Sequence, residues 1–486
     1  MRSWLDLFES QRSERRAVRY GHQWYTYGML ASRARRLAAF LSQQGIGVGD
    51  AVGILAYNHI AHIDLIAACD LLGAAYAPLN FRLSEPEQSR TLEALNPALV
   101  FVDADNSGKL PRSGPRAIAL ADYERLLGKQ RDAQPPADIR DGERVAMLLL
   151  TGGSTGTPKA AMIPRRQIAA NNANTVAGWA LTGDDCVIQA SPAFHAGINV
   201  LATPLLSIGG RVVLQDSFAS SSYLAAAAEH RATVLFLVPT MYQMLIDDTD
   251  FAETDLSSVR FAISGGAACP ATIRHAYADK DVPFRQGYGL TEVGPNCFSL
   301  IPEKAKEKAG TVGFPVMHCQ AKLVDDAGNE VTEPGAVGEL LLKGPHVCAG
   351  YWENEEATNA AYKDGWWATG DYFSRDEDGY YSVVGRKKEM FISGGENVYP
   401  AEVEQVILSH PKVSECAVVG VPDERWGEVG FAYVAPAAIT PTELEEFLQG
   451  KIARYKQPKR VITMDALPRN AMGKVVRAML PTMAAV

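Results

Sequence analysis

Short apolar runs of strand length alternate with helical patterns through the first half of the chain. Strands that alternate with helices form a mostly parallel sheet with helices packed on its faces. The strand candidates are residues 51–56, 75–79, 145–150, 186–190, 211–214, 233–237 and 261–264. The alternation predicts an α/β fold, and a length of 486 residues predicts more than one domain. The segment 105–141 is an exception, because its Pro, Gly and Asp content predicts a surface excursion with little regular structure.

The pattern changes twice toward the C-terminus. Between about residues 310 and 385, short strand candidates and glycine-rich turns predict a small barrel-like unit. From Lys388 onward, a helix that begins at Pro400 and two apolar strand candidates predict a compact α+β domain. We therefore expect a large N-terminal domain at residues 1–387 and a small, mobile C-terminal lid domain at residues 388–486.

The composition is that of a globular protein without a bias toward nucleic acid. Apolar residues make up 47% of the chain and charged residues 21%, and the net charge is −9, whereas nucleic-acid-binding surfaces are basic. The cysteines are scattered without a Cys-x-x-Cys pair, so we expect reduced thiols and no structural zinc. Neither a signal peptide nor a stretch near the ~18 apolar residues of a membrane span occurs. The composition favours a cytoplasmic protein without integral membrane contact.

A loop rich in glycine and hydroxyl groups follows the strand candidate 145–150. It reads Thr-Gly-Gly-Ser-Thr-Gly-Thr-Pro-Lys from Thr151 to Lys159. Glycines let backbone N–H groups converge on an anion, and the hydroxyls and the lysine add further donors. The loop lacks the Gly-Lys-Ser/Thr ending of a Walker loop, and a flexible surface turn is the alternative interpretation. The candidate phosphate-binding residues are Thr151, Gly153, Ser154, Thr155, Gly156 and Lys159.

Three later motifs carry groups that suit an adenine nucleotide. Residues 264–267 read Ser-Gly-Gly-Ala, and such small side chains let a flat base lie against the backbone. Residues 288–292 read Tyr-Gly-Leu-Thr-Glu, which places an aromatic ring, a hydroxyl and a carboxylate close together. A ring suits base stacking, and Mg²⁺ binds carboxylates together with phosphate oxygens. The motif Trp-Trp-Ala-Thr-Gly-Asp ends at Asp371, whose carboxylate can accept hydrogen bonds from hydroxyl groups. Each motif alone could be an ordinary turn.

In this order and at this spacing, the motifs resemble those of the adenylate-forming superfamily of acyl-CoA synthetases, luciferases and peptide-synthetase adenylation domains. The resemblance covers nearly the whole chain and is greatest to bacterial fatty-acyl and aryl or hydroxycinnamoyl CoA ligases. It implies an AMP-forming acid–thiol ligase that uses ATP, Mg²⁺ and coenzyme A. The loop departs from the family at Gly152, where Ser or Thr is usual, and at Ala160, where Gly is usual. Because the backbone amides and Lys159 remain, we expect ATP binding to survive.

The resemblance assigns roles in nucleotide binding. It implies that Tyr288 stacks on adenine, that Thr291 binds the α-phosphate and that Glu292 holds Mg²⁺. It also implies further contacts with the base, the ribose or the phosphates. The residues that would make these contacts are Gly265, Gly266, Ala267, Asp371 and Arg386.

The resemblance also assigns the reacting groups and the moving parts. The acid attacks the α-phosphorus of ATP, and the resulting acyl-adenylate reacts with the thiol of coenzyme A. Lys474 matches the adenylation lysine, and His195 lies between the phosphate loop and the acyl pocket, although a lone histidine is more often a structural residue. Lys388 matches the hinge about which the lid rotates. Gly394 and Gly395 then line the pantetheine tunnel.

Several alternatives stay open on the sequence alone. The acceptor could be the pantetheine of a carrier protein, and light emission of the luciferase kind would need a special substrate. A non-catalytic nucleotide sensor is disfavoured because the candidate catalytic residues are present, and an amino-acid activator is disfavoured because no Asp lies beside His195. Small residues such as Ala196 and Gly294 favour an uncharged acid, either fatty or aromatic. The expected partners are small molecules, and a homodimer is left open.

Overall fold

Two sheets covered by helices form most of the N-terminal part of the molecule. The computed structural model of the protein describes residues 12–132, 141–151, 159–267, 269–436, 438–470 and 473–480. The strands of these two sheets are β1 (Arg16–Tyr20), β2 (Gln23–Thr26), β3 (Ala51–Leu55), β4 (Ala75–Pro78), β5 (Leu99–Val102), β6 (Ala117–Ala119), β7 (Val145–Thr151), β8 (Lys159–Pro164), β9 (Cys186–Gln189), β10 (Arg211–Leu214), β11 (Val234–Leu237), β12 (Phe261–Ser264) and β13 (Phe284–Gln286). The helices among them are α1 (Tyr27–Gln43), α2 (Ile60–Leu72), α3 (Glu85–Leu95), α4 (Tyr123–Gly128), α5 (Arg165–Gly178), α6 (Ala202–Ile208), α7 (Ser220–Glu229), α8 (Pro239–Ile246) and α9 (Ala271–Ala278).

Both sheets are mostly parallel, as the alternation of strands and helices predicts. One has the order β13-β12-β11-β9-β10-β1-β2, and the other has the order β6-β5-β3-β4-β7-β8. The antiparallel pairs are the hairpins β1/β2 and β7/β8. Strand β3 is buried along its whole length, which explains its unbroken apolar sequence. Ligands of such sheets bind beyond the carboxyl ends of the strands. Strands β7, β12 and β13 therefore deliver the predicted motifs to that edge.

The segment 105–141 is more regular than its composition predicts. Strand β6 adds an edge to the six-stranded sheet, and α4 packs its buried residues Tyr123 and Leu127 against the core. The Tyr123 hydroxyl donates a hydrogen bond to Asp64 Oδ2 at 3.0 Å. Local composition favours a loop, but tertiary burial overrides that preference. The prediction of little regular structure is therefore wrong for residues 105–132, and residues 133–140 lie outside the described part of the chain.

An antiparallel sheet follows, in the region where short strands and turns were expected. Its five strands are β16 (Gln320–Val324), β17 (Val337–Lys343), β18 (Tyr362–Lys363), β19 (Trp366–Arg375) and β20 (Tyr381–Arg386). A separate pair, β14 (Phe298–Ser299) and β15 (Phe314–Pro315), precedes them, and helix α10 (Glu355–Ala361) lies between β17 and β18 in the chain. The sheet has the order β16-β17-β19-β18, and β20 pairs with β19. Its register sets Asp371 on β19 directly opposite Arg386 on β20. Two of the predicted nucleotide-binding residues are therefore neighbours in this sheet.

The C-terminal part has a sheet and a core of its own. Its elements are β21 (Phe391–Ser393), β22 (Glu396–Val398), α11 (Pro400–Ile407), β23 (Glu415–Asp423), β24 (Gly427–Ala435), α12 (Pro441–Leu448) and β25 (Arg460–Thr463). The sheet order is β22-β21-β24-β23, and β25 pairs with β24. Apolar residues of both helices, among them Val403 and Leu444, pack in one core with sheet residues such as Val434 of β24. This α+β unit completes the predicted fold class, which is confirmed.

A short 3₁₀ turn, Lys387–Glu389, connects β20 to β21. The chain passes here from the antiparallel sheet of the N-terminal part to the C-terminal sheet. The division of the chain between residues 387 and 388 stays a prediction. Among the described helices, none combines the length and the apolar character that crossing a lipid bilayer requires.

Candidate active site

A buried carboxylate lies between the end of β13 and the antiparallel sheet. Asp371 is 3% exposed, its Oδ2 accepts a hydrogen bond from the Tyr288 hydroxyl at 2.6 Å, and its Oδ1 lies 3.0 Å from Arg386 Nε. Burial raises the pKa of Asp371, and the charge of Arg386 and the Tyr288 hydrogen bond oppose that rise. The ring of Tyr288 packs edge-on against Phe373, with 4.7 Å between centroids. The structure therefore brings Tyr288, Asp371 and Arg386 together.

The small-residue turn after β12 lies beside this cluster. The Gly287 N–H donates to the Ser264 carbonyl at 2.7 Å, and Gln286 Nε2 donates to the Ala267 carbonyl at 3.1 Å. Gly266 has a φ of +82°, which favours glycine, and a Cβ on Gly265 would lie 3.4 Å from the Phe236 ring. The segments 264–267 and 286–288 therefore run side by side. This is the arrangement expected if both segments line the predicted nucleotide site.

Thr291 and Glu292 occupy a 3₁₀ turn whose backbone is fixed by hydrogen bonds from two directions. The Thr291 carbonyl accepts from Gln167 Nε2 at 3.0 Å, and the Glu292 carbonyl accepts from the Cys348 N–H at 2.7 Å. The Glu292 side chain accepts a hydrogen bond at Oε1 from the Tyr351 hydroxyl at 2.9 Å. Within the described residues, no group hydrogen-bonds to the second oxygen of Glu292.

The donor set at Glu292 fits magnesium. Mg²⁺ keeps several waters and is bound through one or two carboxylates together with the phosphate oxygens of the substrate. Glu292 keeps one carboxylate oxygen to which no described residue hydrogen-bonds. Among the residues that the structure describes, no cluster of three or more His, Cys, Asp or Glu side chains suits a metal. A single carboxylate beside the predicted nucleotide site fits the way in which Mg²⁺ is bound together with a phosphorylated substrate.

Tyr351 is a residue that the sequence motifs did not reveal. Its hydroxyl holds Glu292, and the ammonium of Lys159 lies 5.2 Å from the centroid of its ring. Tyr351 also pairs with Ala161 on β8 through an isolated bridge. Tyr351 thus connects the end of the phosphate-loop hairpin to the candidate magnesium ligand. It lies in no predicted motif, and its role depends wholly on these tertiary contacts.

The phosphate loop itself is described only at its two ends. Thr151 and Lys159 face each other as the last pair of the β7/β8 hairpin, and the Thr151 hydroxyl donates to the Lys159 carbonyl at 3.3 Å. The Thr151 hydroxyl is therefore engaged in closing the loop. The other predicted phosphate-binding residues, Gly153, Ser154, Thr155 and Gly156, lie outside the described residues.

His195 is a neutral group in the same cleft. Burial lowers its pKa to about 3, and the positive charges of Arg82 and Lys474 act in the same direction. Its ring lies 4.3 Å from that of Phe194, measured between centroids. At neutral pH the imidazole is uncharged, so it can form a hydrogen bond with a carboxylate but not an ion pair. Arg82, whose positive charge helps to lower the pKa of His195, was not predicted from the sequence.

Lys474 extends from the C-terminal part into this cleft. Its turn is closed by Arg469, whose Nη1 donates to the Gly473 carbonyl at 2.8 Å, and by Asn470 Oδ1, which accepts from the Lys474 N–H at 3.0 Å. The residue is exposed as a whole, yet desolvation lowers the pKa of its ammonium, with repulsion from Arg386 as the second cause and attraction from Glu292 opposing it. The ammonium is therefore within electrostatic range of the predicted nucleotide site.

Two predicted parts of the site lie elsewhere in this conformation. Gly394 and Gly395 are exposed in the turn between β21 and β22, with φ values of +61° and +88°. The Gly394 N–H donates to the Trp426 carbonyl at 2.8 Å, so this turn packs within the C-terminal part. Lys388 is exposed in the connecting turn, and its charge contributes to the lowered pKa of Lys474. The structure thus presents the lysine, and not the glycine turn, to the cleft.

Comparison with known proteins identifies the family. Residues 6–352 match the model of the AMP-binding enzyme family, and residues 402–474 match that of the AMP-binding enzyme C-terminal domain. A feruloyl-CoA synthase of an Amycolatopsis species is 39% identical over 95% of this chain and 94% of its own length. An indoleacetate–CoA ligase of Aromatoleum aromaticum is 37% identical over 97% of this chain and 96% of its own length.

A solved structure agrees with these sequence relatives. The o-succinylbenzoate CoA synthetase of Bacillus subtilis, in complex with an acyl-adenylate intermediate, superposes with a TM-score of 0.89 at 31% identity and covers 99% of this chain and 98% of its own. The chain belongs to the AMP-binding enzyme family. The predicted resemblance to adenylate-forming enzymes is therefore confirmed, and so is the prediction that the chain is a ligase.

We predict that Tyr351→Phe raises the magnesium concentration needed for half-maximal pyrophosphate release by about 10-fold, because it removes the hydrogen bond that orients Glu292. The ring that faces Lys159 is retained. The matched control is Tyr362→Phe, since the Tyr362 hydroxyl donates to the Cys348 carbonyl at 2.7 Å without touching the Glu292 carboxylate. An equal change in both variants would contradict a role for Tyr351 at the magnesium site.

A second prediction concerns pH. Because desolvation and Arg386 lower the pKa of Lys474, the ammonium loses its proton as pH rises through a value below that of an ordinary lysine. The kcat/KM for pyrophosphate release, measured from about pH 7 to about pH 11, should fall on that alkaline side, since this parameter reports the free enzyme. Lys474→Arg should move the fall to higher pH because guanidinium keeps its proton. If kcat/KM falls at the same alkaline pH in Lys474→Arg as in the unaltered enzyme, Lys474 is not the group whose deprotonation causes the fall.

Proposed function

We propose that the protein converts an aromatic carboxylic acid and coenzyme A into an acyl-CoA thioester, with cleavage of ATP to AMP and pyrophosphate. The enzyme is an AMP-forming acid–thiol ligase, and ATP, Mg²⁺ and coenzyme A are the co-substrates and metal of that class. The observation that carries the proposal is the position of Lys474, which reaches from the C-terminal part to the charges of Glu292, Asp371 and Arg386. A cytoplasmic location, where ATP and coenzyme A are available, belongs to the same proposal.

The first half-reaction needs two anions to approach each other. The carboxylate of the acid must attack the α-phosphorus of ATP, so positive charge and orientation are the main requirements. Lys474 supplies an ammonium that contacts both reactants, and Thr291 offers a hydroxyl to the α-phosphate. His195, uncharged because of its low pKa, hydrogen-bonds to the attacking carboxylate without neutralising it. Mg²⁺ held by Glu292 would offset the charge of the phosphate oxygens.

The nucleotide is held by the cluster around Asp371. Asp371 accepts hydrogen bonds from the ribose hydroxyls while Arg386 keeps it charged, and Tyr288 stacks on the base next to the turn of Gly265, Gly266 and Ala267. The phosphate loop, which includes Lys159, closes over the outer phosphates. These roles combine the observed contacts of Asp371 with the family resemblance of the other residues.

The second half-reaction requires the lid to move. Residues 1–387 form the domain that binds ATP and the acid, and residues 388–486 form the lid. Rotation about Lys388, in the turn that connects the two, withdraws Lys474 and brings Gly394 and Gly395 to the cleft. Both glycines have positive φ, which allows a tight turn to approach an extended thiol substrate closely. The thiol then attacks the acyl carbon, and AMP leaves.

An aromatic acid is favoured over a fatty acid by the curated relatives. Feruloyl-CoA synthase, indoleacetate–CoA ligase and 2-succinylbenzoate–CoA ligase are each aligned over at least 95% of this chain. We predict that kcat/KM for cinnamic or indole-acetic acids exceeds that for octanoic and palmitic acids by at least about 10-fold, the scale on which acyl pockets discriminate. The measurement is coenzyme-A-dependent AMP formation across the panel. A preference for the fatty acids would overturn the aromatic assignment.

We further predict that Lys474→Ala separates the two half-reactions. Formation of the acyl-adenylate should fall by about 100-fold or more, since the removed charge acts on the transition state. Thioester formation from a preformed acyl-adenylate should be retained, because Lys474 is withdrawn at that step. Lys459→Ala, which changes an exposed lysine of the same domain, is the control and should leave both rates unchanged. Equal loss of both half-reactions in Lys474→Ala would refute the two-conformation mechanism.

A further inference from the structure

A wide cavity lies at the edge of the seven-stranded sheet where its parallel strands begin. Arg16 starts β1, Arg211 starts β10 and Thr233 precedes β11, and all three line the cavity. The turn 264–267 of the predicted nucleotide site instead follows the carboxyl end of β12, which runs in the same direction as these strands. The cavity and the nucleotide site therefore lie at opposite edges of one sheet.

The cavity has the size of a small-molecule site and a wall rich in arginine. Its volume is about 370 Å³, within the range of ligand pockets in proteins. The side chains on which the argument depends are Arg16, Arg211, Arg231, Trp24, Glu229 and His230. Arg211 is half-buried, whereas Arg16 and Arg231 are exposed. A ligand in this cavity would thus meet guanidinium groups from three different elements.

A fourth arginine acts on the same cavity. Arg19 on β1 lies directly opposite Trp24 on β2, so the two side chains share one face of the hairpin. Its Nη1 is buried, and no described residue accepts a hydrogen bond from it. A buried N–H group without an acceptor is unfavourable, so such groups are rare in folded proteins. We call Arg16, Arg19, Arg211 and Arg231 the arginine cluster.

The positive charge of the arginine cluster is largely uncompensated. The carboxylate on the cavity wall, Glu229, lies beside the histidine, with 3.7 Å between its Oε1 and His230 Nε2. Within the part of the chain that the structure describes, no Asp or Glu forms an ion pair with any member of the cluster. The nearby Arg15, in contrast, pairs with Asp184 at 3.0 Å. Since the whole chain carries a net charge of −9, composition does not explain this local excess of positive charge.

The two aromatic residues of the cavity respond to the cluster. The Arg16 guanidinium lies 5.5 Å from the centroid of the Trp24 ring, and the His230 ring packs edge-on at 5.8 Å from the same ring. Burial lowers the pKa of His230, Glu229 opposes that change, and the charges of Arg19 and Arg211 lower the pKa further. An aromatic ring, and not a carboxylate, therefore positions Arg16.

Arg231 occupies a backbone conformation that favours glycine. It comes directly after His230, the residue that ends helix α7, and its φ is +50°. Glycine is the usual residue at such a helix end, because a side chain there is strained. The chain thus places a guanidinium at the cavity despite local strain. For the same reason, Arg231→Gly removes the charge without imposing a new strain on the fold.

We propose that the arginine cluster binds a small molecule with several phosphate groups, at a site separate from the catalytic cleft. Guanidinium groups bind phosphate oxygens through paired N–H donors, and each phosphate group brings up to two charges and three acceptor oxygens. Four guanidinium groups against one carboxylate match a multivalent anion, since a monovalent anion leaves most of their charge uncompensated. The concave shape suits a free small molecule. The site goes beyond the ligase reaction and does not depend on which acid is activated.

Isothermal titration calorimetry of the full chain with sodium tripolyphosphate tests this proposal. The unaltered enzyme should show a binding component that Arg231→Gly weakens by about 10-fold or more, because a charged donor is lost. Any component due to the nucleotide site should be equal in both proteins. The melting temperature of Arg231→Gly should not fall, since its backbone strain is relieved. Arg211→Gln, which keeps a polar side chain of similar length, should weaken the same component.

The matched control is Arg112→Gly, which removes an exposed arginine outside the cavity and should leave both affinities within about twofold. Inorganic phosphate should bind the affected component at least about 10-fold more weakly than tripolyphosphate, because it carries fewer charges. Unchanged binding in both Arg231→Gly and Arg211→Gln, or an equal loss in Arg112→Gly, would overturn the site. Equal affinity for inorganic phosphate would overturn the assignment to several phosphate groups. Since binding and not turnover is measured, neither result depends on the proposed function.

Discussion

The Asp371 carboxylate joins parts of the chain that fold as separate layers. A buried charge is tolerated only when it is paired and hydrogen-bonded, and the two partners of Asp371 come from different elements. Tyr288 follows β13 of the seven-stranded, mostly parallel sheet, and Arg386 ends β20 of the antiparallel sheet. Pairing therefore fixes the distance between the two sheets. Arg386 also precedes the connecting turn Lys387–Glu389, so the same contact lies next to the predicted boundary of the lid.

Much of this arrangement was accessible from the sequence, because its parts are encoded locally. Apolar runs such as Ala51–Leu55 predict buried strands without reference to the rest of the chain, and the family resemblance assigns Tyr288 and Asp371 to the same nucleotide. The structure places the two side chains in direct contact. Tyr351 and Arg82 could not be predicted in this way. Each acts through a contact that tertiary packing creates, and neither lies in a pattern with its own chemistry.

The same distinction explains the wrong prediction for residues 105–132. Polar and turn-forming residues there favour a loop, but two buried side chains of a short helix, Tyr123 and Leu127, outweigh them. Asn171 and Gln167 are the converse case. On the sequence they are unremarkable polar residues of a helix. Only the positions of the Asn199 and Thr291 carbonyls, to which their side-chain nitrogens donate, show that none of the described residues donates to their oxygens.

The cations of the site give a physical reason for the order of the two half-reactions. Lys474 lies in the fields of Arg386 and Lys388, and their repulsion contributes to its lowered pKa. Carboxylates of the protein offset this repulsion in part, and the phosphates of a bound nucleotide would offset it further. Departure of pyrophosphate removes most of that negative charge while Lys474 stays protonated. In the proposed mechanism, the contact between Lys474 and the nucleotide would therefore be weakened by the reaction that it promotes, which would favour withdrawal of Lys474 once the adenylate has formed.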